Sequence, residues 1–163
     1  MKSSPYLVAE ISANHCGSIK LAKQLIKSAK KNGADAVKLQ TYTPETMTIN
    51  SSHKKFLIKE GIWKGYKLWD LYKEAHTPLE WHKELFKFAK LNKIKIFSTP
   101  FDETAVDFLE DLNCPIYKIA SFEIVLHPKP AFSEINKKCD IKSFMSSTRW
   151  LRSGKRIGTT FKR

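Results

Sequence analysis

The sequence lacks the features that define several common protein classes. It has only three cysteines, Cys16, Cys114 and Cys139, and their wide spacing excludes a disulfide framework or a zinc cluster. No run of about 18 or more apolar residues is present, so no membrane span is expected. The N-terminus also lacks the long apolar stretch of a signal peptide. Together these absences predict a protein of the reducing cytoplasm, without a membrane partner.

Acidic residues are scarce relative to basic ones. The 16 Asp and Glu against 29 Lys and Arg give a formal net charge of +13, which invites a nucleic-acid-binding interpretation. The distribution weakens that interpretation, because six of the bases and none of the acids lie in residues 149–163. Other bases, such as Lys20, Lys23 and Lys27, are typical of a solvated helix face. We therefore expect no nucleic-acid partner, and keep a basic nucleic-acid-binding protein only as an alternative.

The 163 residues, 42% of them hydrophobic, suit one ordinary domain. Short apolar runs alternate along the chain with segments whose apolar residues recur at helical spacing. Five strands are predicted, at residues 6–12, 36–42, 94–100, 116–121 and 141–147. Helices are predicted to begin near Ser18, Leu68, Thr77, Asp102 and Ala131. This repeated βα pattern predicts a parallel sheet with right-handed crossovers.

Polar residues follow the ends of four successive predicted strands. They are Glu10, Lys38 and Gln40, Ser98 and Thr99, and finally Lys118, Ser121 and Glu123. Any one of them could be an ordinary residue beside a loop. In a (β/α)₈ barrel, however, the active site lies at the carboxyl ends of the strands. The recurrence on four strands therefore favours a functional site.

The residue types predict a site for a small anion. Lysine supplies point charge and hydroxyls supply directional donors, which suits a phosphorylated or carboxylated metabolite. Glu10 and Glu123 could transfer protons. The structural alternative is that Glu10 pairs with Lys118, and Lys38 with Glu123. The role of His15 also has two interpretations, since the residue could orient a substrate or make a structural hydrogen bond. The spacing of the histidines predicts no metal site.

Four blocks of sequence resemble the N-terminal half of the sialic-acid synthases: AEISANHCGS, GADAVKLQTYTPETMTI, FSTPFDETAVDFLE and YKIASFEI. Those enzymes condense phosphoenolpyruvate with an acetamido sugar to a nine-carbon 2-keto acid in surface-glycan biosynthesis. QTYTPETMTI and LWDLYKEAHTPLEWH are most similar to the pseudaminic acid branch of the family; the N-acetylneuraminate and legionaminate branches are the alternatives. The resemblance implies a partial (β/α)₈ TIM barrel over residues 1–148, with about five of the eight βα units. Its first and fifth strands would keep unpaired edges.

The resemblance also assigns roles to single residues. It implies catalytic roles for Glu10 and Glu123 and contacts to the sugar by Glu10 and Gln40. The implied contacts to phosphoenolpyruvate are Lys38, Thr99, Lys118, Ser121 and Ser147. A divalent metal, Mn²⁺ or Mg²⁺, would polarise the sugar aldehyde. No residue here corresponds to the family's two histidine ligands, so no metal ligand is predicted. Full-length members are homodimers, and this chain is expected to be a fragment that is inactive alone.

The resemblance stops abruptly after Ser147 and Thr148. Family members continue with glycine, whereas this chain continues RWLRSGKRI. Tryptophan has the single codon TGG, and reading that codon one base later yields a glycine codon. We hypothesise a one-base frameshift near Thr148, which would make residues 149–163 a non-native basic tail. An inactive pseudogene product is a further alternative, and under either hypothesis the charge of the tail says little about partners.

Overall fold

The computed structural model describes residues 5–120, 144–146 and 161–162. Its strands form one sheet in sequence order: β1 Val8–Glu10, β2 Ala36–Thr41, β3 Lys95–Pro100, β4 Tyr117–Ile119, β5 Phe144–Ser146 and β6 Phe161–Lys162. β1 to β5 pair in parallel, which confirms the predicted α/β fold with a parallel sheet. β6 pairs antiparallel with β5. The expectation of an unpaired edge on the fifth strand is therefore wrong, since two residues assigned to the non-native tail cover it.

The helices lie between the strands, as the periodicity predicts. They are α1 Ile19–Lys31, α2 Pro44–Met47, α3 Leu68–Ala75, α4 Leu79–Leu91 and α5 Glu103–Asp111, with short 3₁₀ turns at Ser12–His15 and Lys54–Phe56. Ser18 caps α1 by accepting from the Leu21 amide, and Asp102 caps α5 by accepting from the Ala105 amide. α1 ends before Gly33, whose φ of 83° is in the left-handed region that favours glycine. The helix predicted from Ala131 lies outside the described residues.

α1, α4 and α5 cover one face of the sheet. Val37, Leu39 and Ile96 are buried there against α1 and α4, which contribute Ala22, Ile26, Leu85 and Ala89. Further along the sheet, Val106 and Leu109 of α5 pack on Tyr117 and Ile119. Burial of this apolar area is the main favourable contribution to the stability of the fold. The functional residues must therefore be sought on the other face.

The opposite face changes character from one end of the strands to the other. Side chains alternate along a strand, so residues in register on neighbouring strands share a face. At the amino ends this face is apolar, with Ala36, Phe97 and Ile116 in contact. At the carboxyl ends it carries Lys38 and Gln40, and polar groups are expensive to bury unless they bind something. The register of the strands thus concentrates polar chemistry at one end of the sheet.

Candidate functional site at the carboxyl ends of the strands

Five of the predicted site residues share the face opposite the helices. Glu10 is in register with Lys38, and Gln40 is in register with Thr99. Tyr117 pairs with Ser98, so the next residue, Lys118, lies on the same face as Thr99. The structure therefore brings residues from four strands to one surface. Ser121, Glu123 and Ser147 lie outside the described residues.

An ion pair joins β1 and β2 within this surface. The Lys38 ammonium contacts a Glu10 carboxylate oxygen, and the side chain of Lys38 is 12% exposed against 47% for Glu10. The other carboxylate oxygen of Glu10 accepts hydrogen bonds from the Ser12 amide, at 3.1 Å, and from the Ser12 hydroxyl. Glu10 therefore pairs with Lys38 and not, as the structural alternative had it, with Lys118. The turn after β1 fixes a carboxylate beside a deeply placed cation.

The hydroxyl of Thr99 is a buried donor with no use within the described part of the chain. Thr99 is 1% exposed, and its Oγ1 has no hydrogen-bond partner among the described residues. An unsatisfied buried polar atom typically costs on the order of 1–3 kcal/mol and calls for an explanation. Thr99 lies on the same face as Lys38 and Gln40. A hydroxyl held there without a partner is suited to binding a ligand oxygen.

Ser98, expected in the anion site, instead faces the helices. Its Oγ lies 2.6 Å from the Thr41 Oγ1, which lies 2.9 Å from the His82 Nε2. The His82 Nδ1 is 3.1 Å from the Pro78 carbonyl, which can only accept, so Nδ1 carries the proton and Nε2 accepts from Thr41. Burial lowers the pKa of His82 to about 4, so the ring is neutral. This chain of bonds ties α4 to β2 and β3 behind the site.

Sequence reasoning missed the role of His82. The available signal was its position three residues before Leu85 on the apolar face of a predicted helix. A polar residue at such a position needs a buried partner. Nothing local identifies that partner, because Thr41 lies on a distant strand.

His15 has a structural role in the turn after β1. It is buried, and its Nδ1 accepts from the Gly17 amide at 3.1 Å, so its Nε2 donates to the Thr77 Oγ1 at 3.2 Å. Its ring meets Trp81 edge-on, with the centroids 5.3 Å apart. Burial lowers the pKa of His15. Of the two sequence interpretations, the structural hydrogen bond is the one observed.

A small cavity opens beside the polar residues. It has a volume of about 270 Å³ and is lined by Gln40, Tyr42, Met47, Tyr72, Phe101, Lys118 and Ala120. Gln40 and Lys118 were predicted site residues, whereas the aromatic lining was not. The signal for it was an aromatic residue directly after β2 and another directly after β3. The cavity places two polar side chains opposite an apolar surface.

The described residues contain no cluster of three or more His, Cys, Asp or Glu that could hold a metal ion. They therefore do not fit the divalent metal that the resemblance implies. Among the same residues, no helix has the length and apolar character needed to span a membrane.

Fold and site together define an α/β protein that carries charged and polar side chains at the carboxyl ends of parallel strands. The chain belongs to the NeuB family, whose model matches residues 25–140. That range includes Lys38, Gln40, Thr99 and Lys118.

Two individual relatives show which members of the family the chain resembles more. A pseudaminic acid synthase of Helicobacter pylori is 53% identical over 125 residues, which are 77% of this chain and 37% of that protein. An N,N'-diacetyllegionaminic acid synthase of Legionella pneumophila is 35% identical over 123 residues, which are 76% of this chain and 35% of that protein. These matches confirm the resemblance to sialic-acid synthases. The chain spans little more than a third of the length of these relatives.

A solved structure agrees with the sequence relatives. The N-acetylneuraminic acid synthetase of Leptospira borgpetersenii, crystallised in complex with citrate, superposes with a TM-score of 0.62 at 27% identity. The superposition covers 76% of this chain and 39% of that one. The parallel sheet and its helices are thus similar to part of a sialic acid synthetase.

Proposed function

We propose that this chain forms the phosphoenolpyruvate site, and part of the sugar site, of a synthase that condenses phosphoenolpyruvate with an acetamido sugar. The product would be a nine-carbon 2-keto acid of the pseudaminic type. The observation that carries the proposal is the convergence of Lys38, Thr99 and Lys118 on one face at the carboxyl ends of β2, β3 and β4. The pseudaminic branch is favoured because identity is 53% to such a synthase and 35% to the legionaminic one.

We further propose that residues 1–148 belong to a (β/α)₈ barrel and supply about five of its eight units. The order of the parallel strands follows the sequence, and the described helices that pack on the sheet cover a single face. Both features are expected of consecutive units of a barrel wall. The polar face would then be the inner one, open at the carboxyl ends of the strands.

Binding of phosphoenolpyruvate follows from the residue types. Lys38 and Lys118 would balance its phosphate and carboxylate charges, and the Thr99 hydroxyl would donate to one of its oxygens. Ser121 and Ser147 would add donors by the resemblance. Holding the substrate in this way lowers the entropic part of the barrier to reaction.

The proposed chemistry has two stages. The enol carbon of phosphoenolpyruvate attacks the aldehyde carbon of the open-chain sugar, a C–C bond forms, and the aldehyde oxygen takes up a proton. Water then adds to the cationic carbon that bears the phosphate and loses one proton. The remaining hydroxyl proton leaves with the phosphate as the C–O bond to phosphate breaks and the keto group forms. Glu10, held by Ser12, and Glu123 are the proposed proton carriers. No step is derived through a metal, since the described residues do not fit one.

Calorimetric titration of the 163-residue chain with phosphoenolpyruvate tests the proposal. Lys38→Ala should weaken binding about tenfold or more, because a charge-assisted hydrogen bond contributes about 1.5–3 kcal/mol. Lys27→Ala is the matched control. Lys27 is an exposed lysine on α1, away from the proposed site, so its loss should not change the affinity. Equal affinities of the wild type and Lys38→Ala would contradict the proposed site, as would an absence of binding by a folded wild type.

A further inference from the structure

Two hydroxyls and an imidazole form a buried network directly behind the candidate site. The network consists of Thr41, Ser98 and His82, and each of these side chains is fully buried. The protonated Nδ1 of His82 donates to the Pro78 carbonyl, so Nε2 accepts from the Thr41 hydroxyl at 2.9 Å. The Thr41 oxygen is then left to accept from the Ser98 hydroxyl at 2.6 Å. His82 therefore sets the direction of every hydrogen bond in the network.

The network is joined to the site residues through the backbone of β2 and β3. Thr41 directly follows Gln40, and Ser98 directly precedes Thr99. Side chains alternate along a strand, and Gln40 is in register with Thr99. The hydrogen bond from Ser98 to Thr41 therefore crosses from β3 to β2 immediately behind the pair of site residues.

The backbone alone holds this end of the two strands less firmly than the rest. Thr41 is in register with Pro100, the last residue of β3. Proline has no N–H, so it cannot donate to a ladder of backbone hydrogen bonds. The side-chain hydrogen bond between Ser98 and Thr41 thus adds a link where the backbone offers one donor fewer.

Thr41 and Ser98 need not be polar for stability alone. Leu39 and Ile96, two residues earlier on the same strands, are buried and apolar on the same face. Replacement of both partners of a buried hydrogen bond by apolar groups of the same shape can be nearly neutral. A satisfied polar network instead favours one arrangement, because a shift leaves its members unpaired. A shift of one residue in β3 would turn Ser98 towards the site and Thr99 towards the helices, so the network selects the register that presents Thr99 to a ligand.

On the basis of the proposed function, we propose that His82 is a positioning residue for the binding of phosphoenolpyruvate. Its ring does not touch the ligand, because it lies on α4 behind the sheet. It acts through the hydroxyls of Thr41 and Ser98. These hold Thr99 on the site face, where its Oγ1 has no partner among the described residues. A donor that is held in place before the ligand arrives costs less to order on binding.

The start of α4 is also attached to the turn after β1. The His15 Nε2 donates to the Thr77 Oγ1 at 3.2 Å, and the rings of His15 and Trp81 meet edge-on. One turn further along α4, Leu85 packs in the core between helix and sheet. None of these contacts uses the His82 ring. A variant without the imidazole can therefore keep α4 in place while it loses the network.

Calorimetric titration of the 163-residue chain with phosphoenolpyruvate tests this inference. His82→Leu removes the acceptor for Thr41, and the affinity should fall about fivefold, as expected for one hydrogen bond. His82→Gln can place an amide oxygen where Nε2 accepts, so it should retain most of the affinity. Leu85→Val is the matched control, because Leu85 is buried on the same helix but makes none of these hydrogen bonds. It should lower the stability and leave the affinity unchanged.

A double-variant cycle shows whether His82 acts through Thr99. Thr99→Val alone should weaken phosphoenolpyruvate binding about fivefold or more. If His82 only positions Thr99, His82→Leu should add little to that loss in the double variant. If His82 affected the fold in general, the two losses would multiply to about 25-fold. The cycle therefore separates positioning from general damage to the fold.

The possible failures are distinguishable. Absence of phosphoenolpyruvate binding by the folded wild type would overturn the proposed function itself. With normal wild-type binding, the role of His82 would be overturned by an unchanged affinity of His82→Leu, by an equal loss in His82→Gln, or by losses that multiply in the cycle. Thr41→Val breaks the same network if near-UV circular dichroism shows that His82→Leu does not fold. The same loss of affinity, and the same cycle with Thr99→Val, are expected of it.

Discussion

Glu10 and Lys38 stand opposite each other on β1 and β2 and form an ion pair at the mouth of the candidate site. Lys38 is the more deeply placed of the two, with 12% of its side chain exposed. An anion that binds Lys38 therefore approaches a carboxylate at the same time. The pair keeps the lysine oriented but lowers the local positive potential.

Glu10→Gln should tighten the binding of phosphoenolpyruvate by about fivefold. Removal of the carboxylate removes a repulsion that is about 1 kcal/mol for unit charges about 4 Å apart in water. Calorimetric titration measures the change, and Glu80→Gln, an exposed acid on α4, is the matched control. Weaker binding by Glu10→Gln would instead show that the carboxylate is needed to position Lys38.

Thr99→Val should weaken the binding of phosphoenolpyruvate without lowering the stability of the fold. The Thr99 Oγ1 has no partner among the described residues, so its loss should leave the free energy of unfolding unchanged or raise it by about 1 kcal/mol. Phosphoenolpyruvate affinity should fall about fivefold or more, while Thr99→Ser should retain most of it. Urea unfolding and calorimetry give the two quantities. A destabilised Thr99→Val would indicate that the hydroxyl serves the fold.

His82 should make the chain sensitive to acid. Its folded pKa of about 4 lies below the ordinary value of 6.5, so the unfolded state binds the proton more tightly. The full stability is therefore present above about pH 6.5 and is lost as the pH falls towards 4, by about 3 kcal/mol. His15, whose pKa is also lowered, adds to the loss in the same direction.

The pH dependence of urea unfolding between pH 7 and pH 4 tests this prediction. His82→Gln removes the titrating ring and should flatten the acid side of the profile, leaving the smaller contribution of His15. An unchanged slope in His82→Gln would show that other groups cause the acid sensitivity.

The assignment of residues 149–163 to a non-native tail stays a proposal. The existence of β6 bears on it, because β6 consists of two residues of that tail. Phe161 and Lys162 lie opposite Met145 and Phe144, so part of the tail is paired in the sheet. Deletion of residues 149–163 should nevertheless leave phosphoenolpyruvate affinity unchanged.

The frameshift hypothesis is tested by the DNA. Removal of one base near codon 148 should restore a long synthase-like reading frame. If it does not, the frameshift hypothesis is wrong.

Local patterns in the sequence were enough to predict the parallel sheet. Apolar runs and helical spacing locate the first four strands and the caps at Ser18 and Asp102, because these depend on neighbours along the chain. Recurring polar residues at the strand ends then locate the candidate site. The chain itself thus predicts the architecture and the end of the sheet where chemistry is expected.

What could not be predicted depends on register and on distant partners. Ser98 and Thr99 are adjacent in sequence, yet one faces the helices and the other the site, and a shift of one residue in register would exchange them. Pairing of Glu10 with Lys38 depends on the same register. Tyr42 and Phe101 directly follow β2 and β3, which a local pattern can show, but the contact of Tyr42 with Tyr72 of α3 depends on the fold.

The location of bound phosphoenolpyruvate can be mapped by titrating the ¹⁵N-labelled chain and following backbone amide shifts. We predict that the largest shifts occur at Lys38, Thr99 and Lys118. A groove of about 490 Å³ that is lined in part by Lys83, Lys87 and Lys90 offers another cluster of positive charge for comparison. Shifts confined to that groove, or to residues 149–163, would contradict a phosphoenolpyruvate site at the carboxyl ends of the strands.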